Sequence, residues 1–456
     1  MSLNRREFLK TTSIGAAAFI ANTGMLKKSA VVAAPSPAVS KVAFASGGTC
    51  RRQMMLEVLE PLRDDITAGI QDKQIIIKPN CVVTNNPLAC THADAIRGVI
   101  DFLRTIDDTA PITIAEISAM GGADSAYMNY GYNDLTMEYD GILLVDGNSQ
   151  PSSTQPIVEL DGNTNIDISV SAAFTDSNNY IISLCRPKTH NCVVATLTMK
   201  NILMGAPLSN MSPTDKTRMH GSGTGNATTS LADEALTKNL FSLANIFLPV
   251  PTPALGILDG YEGMEGDGPS GGTAVDHRIA VASTDAVAVD RIGIKLMGID
   301  PEWLPYLKWC GTANLGNYDL NNISIVGPQI DVDDQIIPYR LHSNIETQKE
   351  WFIINARNPD FLRPRPFLSL HSSMIRRGGE ALIRFRLPMA FLVNLDICSI
   401  MGRQLRRIAS EYLPSGGYSA RWDGRDDHGA FVSAGNYIVK LQAGPRMVCG
   451  RLSIVR

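Results

Sequence analysis

Three absences narrow the chain before any motif is considered. None of its eight cysteines is followed by another in a C-x-x-C, so zinc-ribbon and iron–sulfur chemistry lack their ligand spacing. No apolar run reaches the ~20 residues that cross a bilayer, apart from a weak N-terminal candidate, so no stable transmembrane span is expected in the mature chain. Neither charge sign dominates: 41 Lys and Arg stand against 45 Asp and Glu, a formal net charge of -4. Such a balance gives no general attraction to polyanions, and nucleic acid is not expected as a partner. What is present is a globular composition, 44% hydrophobic and 19% charged, over 456 residues. That length allows two or three domains of about 100–200 residues each.

The N-terminus carries the strongest local signal. Arg5-Arg6 precedes Phe8-Leu9-Lys10, and a small-residue apolar stretch, Ile14 to Ala21, follows. The pattern fits a twin-arginine export signal over residues 1–34, with cleavage among the small residues Ala30 to Ala34. It implies the twin-arginine translocase as a partner during export, and a periplasmic, extracellular or cell-surface destination. Disulfides become permissible there, although their pairing cannot be read from the sequence. Export of folded cargo also favours proteins that load a cofactor first. None is assigned, and a divalent metal is one candidate.

From Lys41 onward apolar strands alternate with helical patterns. Strands are expected at Val42–Ala45, Gln74–Lys78, Ile112–Ala115, Gly141–Asp146, Tyr180–Leu184, Ala254–Leu258 and Ile279–Ala282. Helices are expected at Met54–Ile66, Ala93–Leu103 and Ala286–Met297. Short apolar strands between helices argue for an α/β domain over 41–330, with a mostly parallel sheet covered by helices. Residues 331–379 show no clear period and read as a linker. Over 380–456 the pattern becomes alternating strands with Gly- and Asp-rich turns, a small all-β sandwich.

Polar residues cluster just after the apolar strands. Ile77-Lys78-Pro79-Asn80 comes first, then Thr91-His92-Ala93-Asp94. Lys188-Thr189-His190 is followed by Thr196-Leu197-Thr198-Met199-Lys200-Asn201. His220 sits among glycines, Asp259 ends a strand, and Thr284-Asp285 leads to Asp290. In this order the residues resemble the domain of unknown function 362 family over about Lys41 to Val326. The resemblance implies a fold and a site but no substrate, because the family's reaction is not established.

Each position also has an ordinary structural reading. Thr91 with Asp94 looks like a helix cap, which puts His92 in the first turn, where a neutral ring suits a base or ligand. Lys78 reads either as a snorkelling side chain or, with Asn80, as part of an anion site. Lys188, His190, Lys200 and Asn201 would repel unless an anion or a carboxylate of Asp259, Asp285 or Asp290 met them. Asp285 is equally a helix N-cap. The acidic segment Glu262 to Pro269 reads as a surface loop or a mobile flap.

Two functions follow. The first is an extracytoplasmic enzyme with a strand-end pocket. There Lys78, Asn80, Lys188, Lys200 and Asn201 bind a small anion, and His92, His190 and Asp259 carry the chemistry. His220, Asp285 and Asp290 are the further candidates for a metal, and His92, His190 and His220 together would make a three-histidine site. The second is a non-catalytic ligand-binding or surface protein displayed by its C-terminal sandwich. That segment, with Trp422-Asp423-Gly424 and Gly435-Asn436-Tyr437, resembles the immunoglobulin-like domain of flagellar hook-capping proteins and secretion sorting modules.

Overall fold

The computed structural model describes residues 39–456 except 159–164, 222–229, 250–251, 329–330, 346–348, 350–351, 354–366, 371–373, 377, 388–390, 414–415, 444–445 and 456. The export signal read at 1–34 lies outside the described residues. The chain divides into two compact units, Pro35–Leu362 and one that contains Arg363–Arg456.

The larger unit is built on an eight-stranded mixed sheet. Its order runs Ile323–Val326, Ser40–Ser46, Ile279–Ser283, Leu255–Gly260, Asn179–Cys185, Gln74–Lys78, Ile112–Glu116, Ile142–Asp146. All neighbours are parallel except around Ile279–Ser283, which runs antiparallel to both strands beside it. The expected strands are all present, and the single reversal is the feature their pattern did not carry. Successive side chains on a strand point to opposite faces, so near-continuous apolar strands imply burial on both. Ile75 and Ile77 accordingly join one core, with Met54, Met55, Ile96 and Val99 of the helices Arg51–Leu59 and Ala93–Arg104. Ile76 joins the other, with Ile202, Leu240 and Val289 of Thr198–Leu203, Ser230–Phe247 and Ala286–Leu296.

Local chemistry explains several departures from the sequence reading. The helix expected over Met54–Ile66 is two helices, Arg51–Leu59 and Arg63–Ile70, separated at Pro61 by a 3-10 turn, because proline cannot continue the ladder. The acidic segment Glu262 to Pro269 is in part a strand, and the turn that follows it carries the exposed Asp267. Gly263–Glu265 is a strand that pairs with Lys188 through Met264, which is fully buried. The expected linker 331–379 divides instead. Val332, Tyr339, Ile345 and Phe352 are buried in the core of the larger unit, while Phe367–Leu370 and Met374–Arg376 are strands of the other. The larger unit's share of this stretch shows no period because it packs through isolated apolar residues rather than through one face.

The C-terminal unit consists of a three-stranded and a five-stranded sheet, antiparallel except where Met374–Arg376 joins. Trp422 and Tyr437 meet edge to face in its core, with centroids 5.7 Å apart. The Trp422 indole N–H is satisfied by Arg425 O at 2.8 Å, and Gly424 takes the positive φ of 76° that the turn requires. No helix among the described residues is long and apolar enough to cross a membrane.

Candidate functional site

Parallel strands end together, so polar residues at their C-terminal ends share one edge of the sheet. Lys78 and Glu116 are such ends on adjacent strands. Their side chains are 1% and 2% exposed and pair at 2.7 Å. Glu116 also accepts from Ile117 N at 2.7 Å and Cys81 N at 2.8 Å. The Lys78 ammonium reaches Pro79 O at 2.8 Å and Asn201 Oδ1 at 3.2 Å. It is not a snorkelling lysine. Gly205 makes room for it, since a Cβ there would lie 1.9 Å from Lys78 Cε.

Asn201 is the hub. Its Oδ1 also accepts from Asn80 Nδ2 at 3.0 Å, and its Nδ2 donates to Ser183 Oγ at 3.0 Å and Lys78 O at 3.2 Å. Asn80 Oδ1 in turn accepts from Lys188 Nζ at 2.6 Å, and Lys188 also donates to Ala89 O at 2.5 Å. One continuous buried network therefore joins Lys78, Asn80, Asn201 and Lys188.

Lys200 is adjacent to Asn201 in the helix Thr198–Leu203 and so projects about 100° away from it around the helix. It is 7% exposed. Its ammonium has no hydrogen-bond or carboxylate partner among the described residues. Burial draws it down to about 7, and the Lys188 charge acts in the same direction. Burial likewise brings Lys188 to about 8.

His190 shares a face with Lys188, two residues earlier on the same strand. Burial, then Lys200, His220 and Lys188, holds its ring well below the ordinary histidine range. Its Nδ1 accepts from Cys192 N at 3.0 Å, so the proton of the neutral ring sits on Nε2. His220 is pushed down to about 4, by burial first and Lys200 second. Val194, β-branched with φ of 66°, holds the tight turn from Lys188–His190 to Val194–Thr196.

A second group lies at the end of the strand Leu255–Gly260. Asp259 is fully buried, and its Oδ1 accepts from Arg51 Nε at 3.1 Å. Its Oδ2 has no partner among the described residues. Arg186 donates to Glu262 Oε2 at 2.7 Å and to Cys90 O at 2.7 Å. His92 is part of this group and lies 41% exposed. Its Nδ1 accepts from Asp94 N at 3.1 Å. His92 is thus the N-cap of Ala93–Arg104, while Thr91 is drawn inward to Leu184 O and Asn80 N. This reverses the roles expected for Thr91 and His92, because Thr91 Oγ1 is already taken by the sheet. Burial, the Arg51 charge and the Arg186 charge lower the His92 pKa, and Asp94 and Asp259 oppose them.

The remaining candidates lie elsewhere. Asp285 caps Ala286–Leu296, receiving Val287 N and Ala288 N, and also takes Ser40 Oγ at 2.6 Å and Asn317 N at 2.8 Å. It sits where the strand Ser40–Ser46 begins, the opposite edge from Asp259. Asp290 receives Thr198 N and Oγ1 and Met199 N, which anchors the Lys200 helix. Burial raises it to about 7. His220, Asp285 and Asp290 therefore do not converge. No group of three or more His, Cys, Asp or Glu among the described residues is placed to hold a metal. The three-histidine site that combined His92 with His190 and His220 is not formed. A cleft of about 780 Å³ lined by Thr67, Gln74 and Asn178 opens where the strands start, away from this chemistry.

Glu116, Arg51, Arg186 and Lys216 were not singled out from the sequence. Glu116 ends an apolar strand just as Lys78 does, which was a usable signal. Lys216 was not legible. It is buried, donates to Met204 O at 2.5 Å and Gly205 O at 3.1 Å, and is drawn down to about 7 by burial and then by Lys78.

Residues 75–295 match the family described as Domain of unknown function (DUF362). No curated protein matches the chain. Among solved structures, FlgD from P. aeruginosa is 21% identical over 19% of this chain and 64% of its own, with a TM-score of 0.15. FlgD from Xanthomonas campestris is 23% identical over 20% and 66%, with a TM-score of 0.15. The Ig1 domain of mouse SynCAM 2 is 13% identical over 20% and 93%, with a TM-score of 0.14. The chain thus spans just under two thirds of the FlgD chains it is similar to, and none of the three reaches a TM-score from which a shared fold follows.

Proposed function

We propose that the unit matching the DUF362 family binds a small anion, a carboxylate or phosphate, at the C-terminal rim of its sheet. The observation that carries this reading is Lys200, a side chain only 7% exposed whose ammonium has no partner among the described residues, beside Lys188 and two neutral imidazoles. A buried unpaired charge is costly, and an anion supplied from solution offsets that cost. In this reading Lys200 and Lys188 hold the anion, Asn80 fixes Lys188 and is itself held by Asn201, and His190 offers its Nε2 proton to the bound group. Asp259, with one free oxygen beside Arg51, orients a second polar group of the ligand. His92 serves as a proton carrier at the more open end. These groups suit acid–base chemistry on an anionic substrate.

The anion binds the protonated lysines. Affinity is therefore full below about pH 7 and falls as pH rises through about 7 to 8, with proton uptake on binding in that window. Isothermal titration with inorganic phosphate and with oxalate, in two buffers of different ionisation enthalpy, tests this. Proton uptake and at least about tenfold weaker binding by Lys200→Met are expected. Equal binding by the variant, or no binding of either anion, rejects the reading. The proposal also keeps residues 1–34 as a twin-arginine export signal and the two-sheet C-terminal unit as an immunoglobulin-like spacer or sorting module. N-terminal sequencing of secreted chain checks the first.

A further inference from the structure

Cys81 and Cys90 face each other across an isolated antiparallel bridge. The chain makes this bridge as it leaves the strand Gln74–Lys78 and returns toward the helix Ala93–Arg104. Thr91 N donates to Asn80 O at 2.9 Å, between the residues flanking the pair. Positions 81 and 90 are thus a non-hydrogen-bonded antiparallel pair, the kind whose Cα atoms lie about 4.5 Å apart with side chains closest. That separation falls inside the window of about 4.4–6.8 Å that a disulfide spans. Both are free thiols, 2% and 1% exposed; Cys81 Sγ lies 3.6 Å from the Tyr132 hydroxyl and Cys90 Sγ donates to Val83 O at 3.2 Å.

The bridge is tied to the charged rim through its backbone. Cys81 N donates to Glu116 Oε2 at 2.8 Å. Cys90 O accepts from Arg186 Nε at 2.7 Å, and Ala89 O accepts from Lys188 Nζ at 2.5 Å. Whatever locks the segment 81–90 also locks the acceptors that hold Lys188 and Arg186.

We propose that Cys81 and Cys90 form a reversible disulfide, with a small hydroperoxide as oxidant, that staples the segment holding Lys188 and Arg186. The proposal stands whether or not the rim binds an anion. Cys90 is the attacking sulfur: the neighbouring Cys81 thiol leads in drawing it down to about 7, whereas burial raises Cys81. The Cys90 thiolate forms an S–O bond as the peroxide O–O bond breaks, and the departing hydroxide takes a proton to become water. Cys81 then gives up its proton and attacks the Cys90 sulfenic acid. The S–S bond forms, the S–O bond breaks, and the second water leaves. Two thiols and one hydrogen peroxide give one disulfide and two waters.

The test uses the full chain treated with equimolar hydrogen peroxide or with dithiothreitol. It is then denatured, alkylated with N-ethylmaleimide and mapped by peptide mass spectrometry. The expected result is a cross-linked peptide joining 81 to 90, two hydrogens lighter than the free pair and reopened by dithiothreitol. Amide hydrogen exchange over 81–90 is expected to slow several-fold in the oxidised protein. Full alkylation of both cysteines after peroxide overturns the proposal. So does a linkage of either to the exposed Cys50 or Cys449, or recovery of Cys90 as an unlinked sulfinic acid.

Discussion

In the C-terminal unit the side chain of Asp396 is 1% exposed, and two cations meet it, Arg407 Nε at 2.8 Å and Lys440 Nζ at 3.7 Å. Both cations keep 36% or more of their own surface in water. In the larger unit the proportions are inverted. Lys78, Lys188, Lys200 and Lys216 are all buried, and Glu116 answers only the first as an ion pair among the described residues. The other three rely on carbonyl and amide oxygens or, for Lys200, on nothing described. A buried charge that is answered from within its own fold is explained by the fold. One that is left over points outward to a ligand.

The sharpest way to break this contrast is to remove the one carboxylate in the larger unit's network. Glu116→Ala leaves Lys78 buried and unpaired and is expected to lower the unfolding free energy by about 3–5 kcal/mol in urea denaturation. A loss below about 1 kcal/mol would mean that the network relaxes or admits water, and the contrast would fail.

Lys200→Met is expected to act in the opposite direction, stabilising the protein by about 1–3 kcal/mol while weakening anion binding at least about tenfold. The sign follows from the depressed pKa. Lys200 titrates at about 7 when folded and at the ordinary value of 10.5 when unfolded. Its charge therefore penalises the folded state fully below pH 7, and the penalty disappears as pH rises toward 10.5. The advantage of the variant, read by denaturation at several pH values, is expected to be largest near neutrality and to shrink in alkali.

Asp396→Asn is the smallest of the three changes, at about 1 kcal/mol or less, because Arg407 and Lys440 return to water when their partner loses its charge. A larger loss would make the C-terminal cluster as demanding as the rim and blur the distinction between the two regions.

The strand ends were legible from the sequence because an apolar run closed by one charged residue has few other readings in a parallel sheet. Lys78 and Asp259 were found in that way, and Glu116 fits the same rule. Lys188 and His190 were legible as an i, i+2 pair near a strand end. What the chain concealed depends on neighbours distant in sequence. Lys78 meets Glu116 only because Gln74–Lys78 and Ile112–Glu116 are adjacent, with Ile77 opposite Ile114. The reversal of Ile279–Ser283 sends Asp285 to the far edge, and nothing in the alternation of that strand reports its direction. Asp290 reads as a candidate ligand until Thr198 and Met199 are seen to occupy both of its oxygens. His92 and Thr91 exchanged roles because a tertiary acceptor, Leu184 O, competed for the threonine hydroxyl.

Competitive acetylation of Lys200 across pH, followed by peptide mass spectrometry, gives the amine's titration directly. Without added anion the midpoint is expected at about 7, rising when inorganic phosphate is present. A midpoint near the ordinary lysine value of 10.5, unmoved by phosphate, would show that this ammonium is already solvated or paired and would contradict the account.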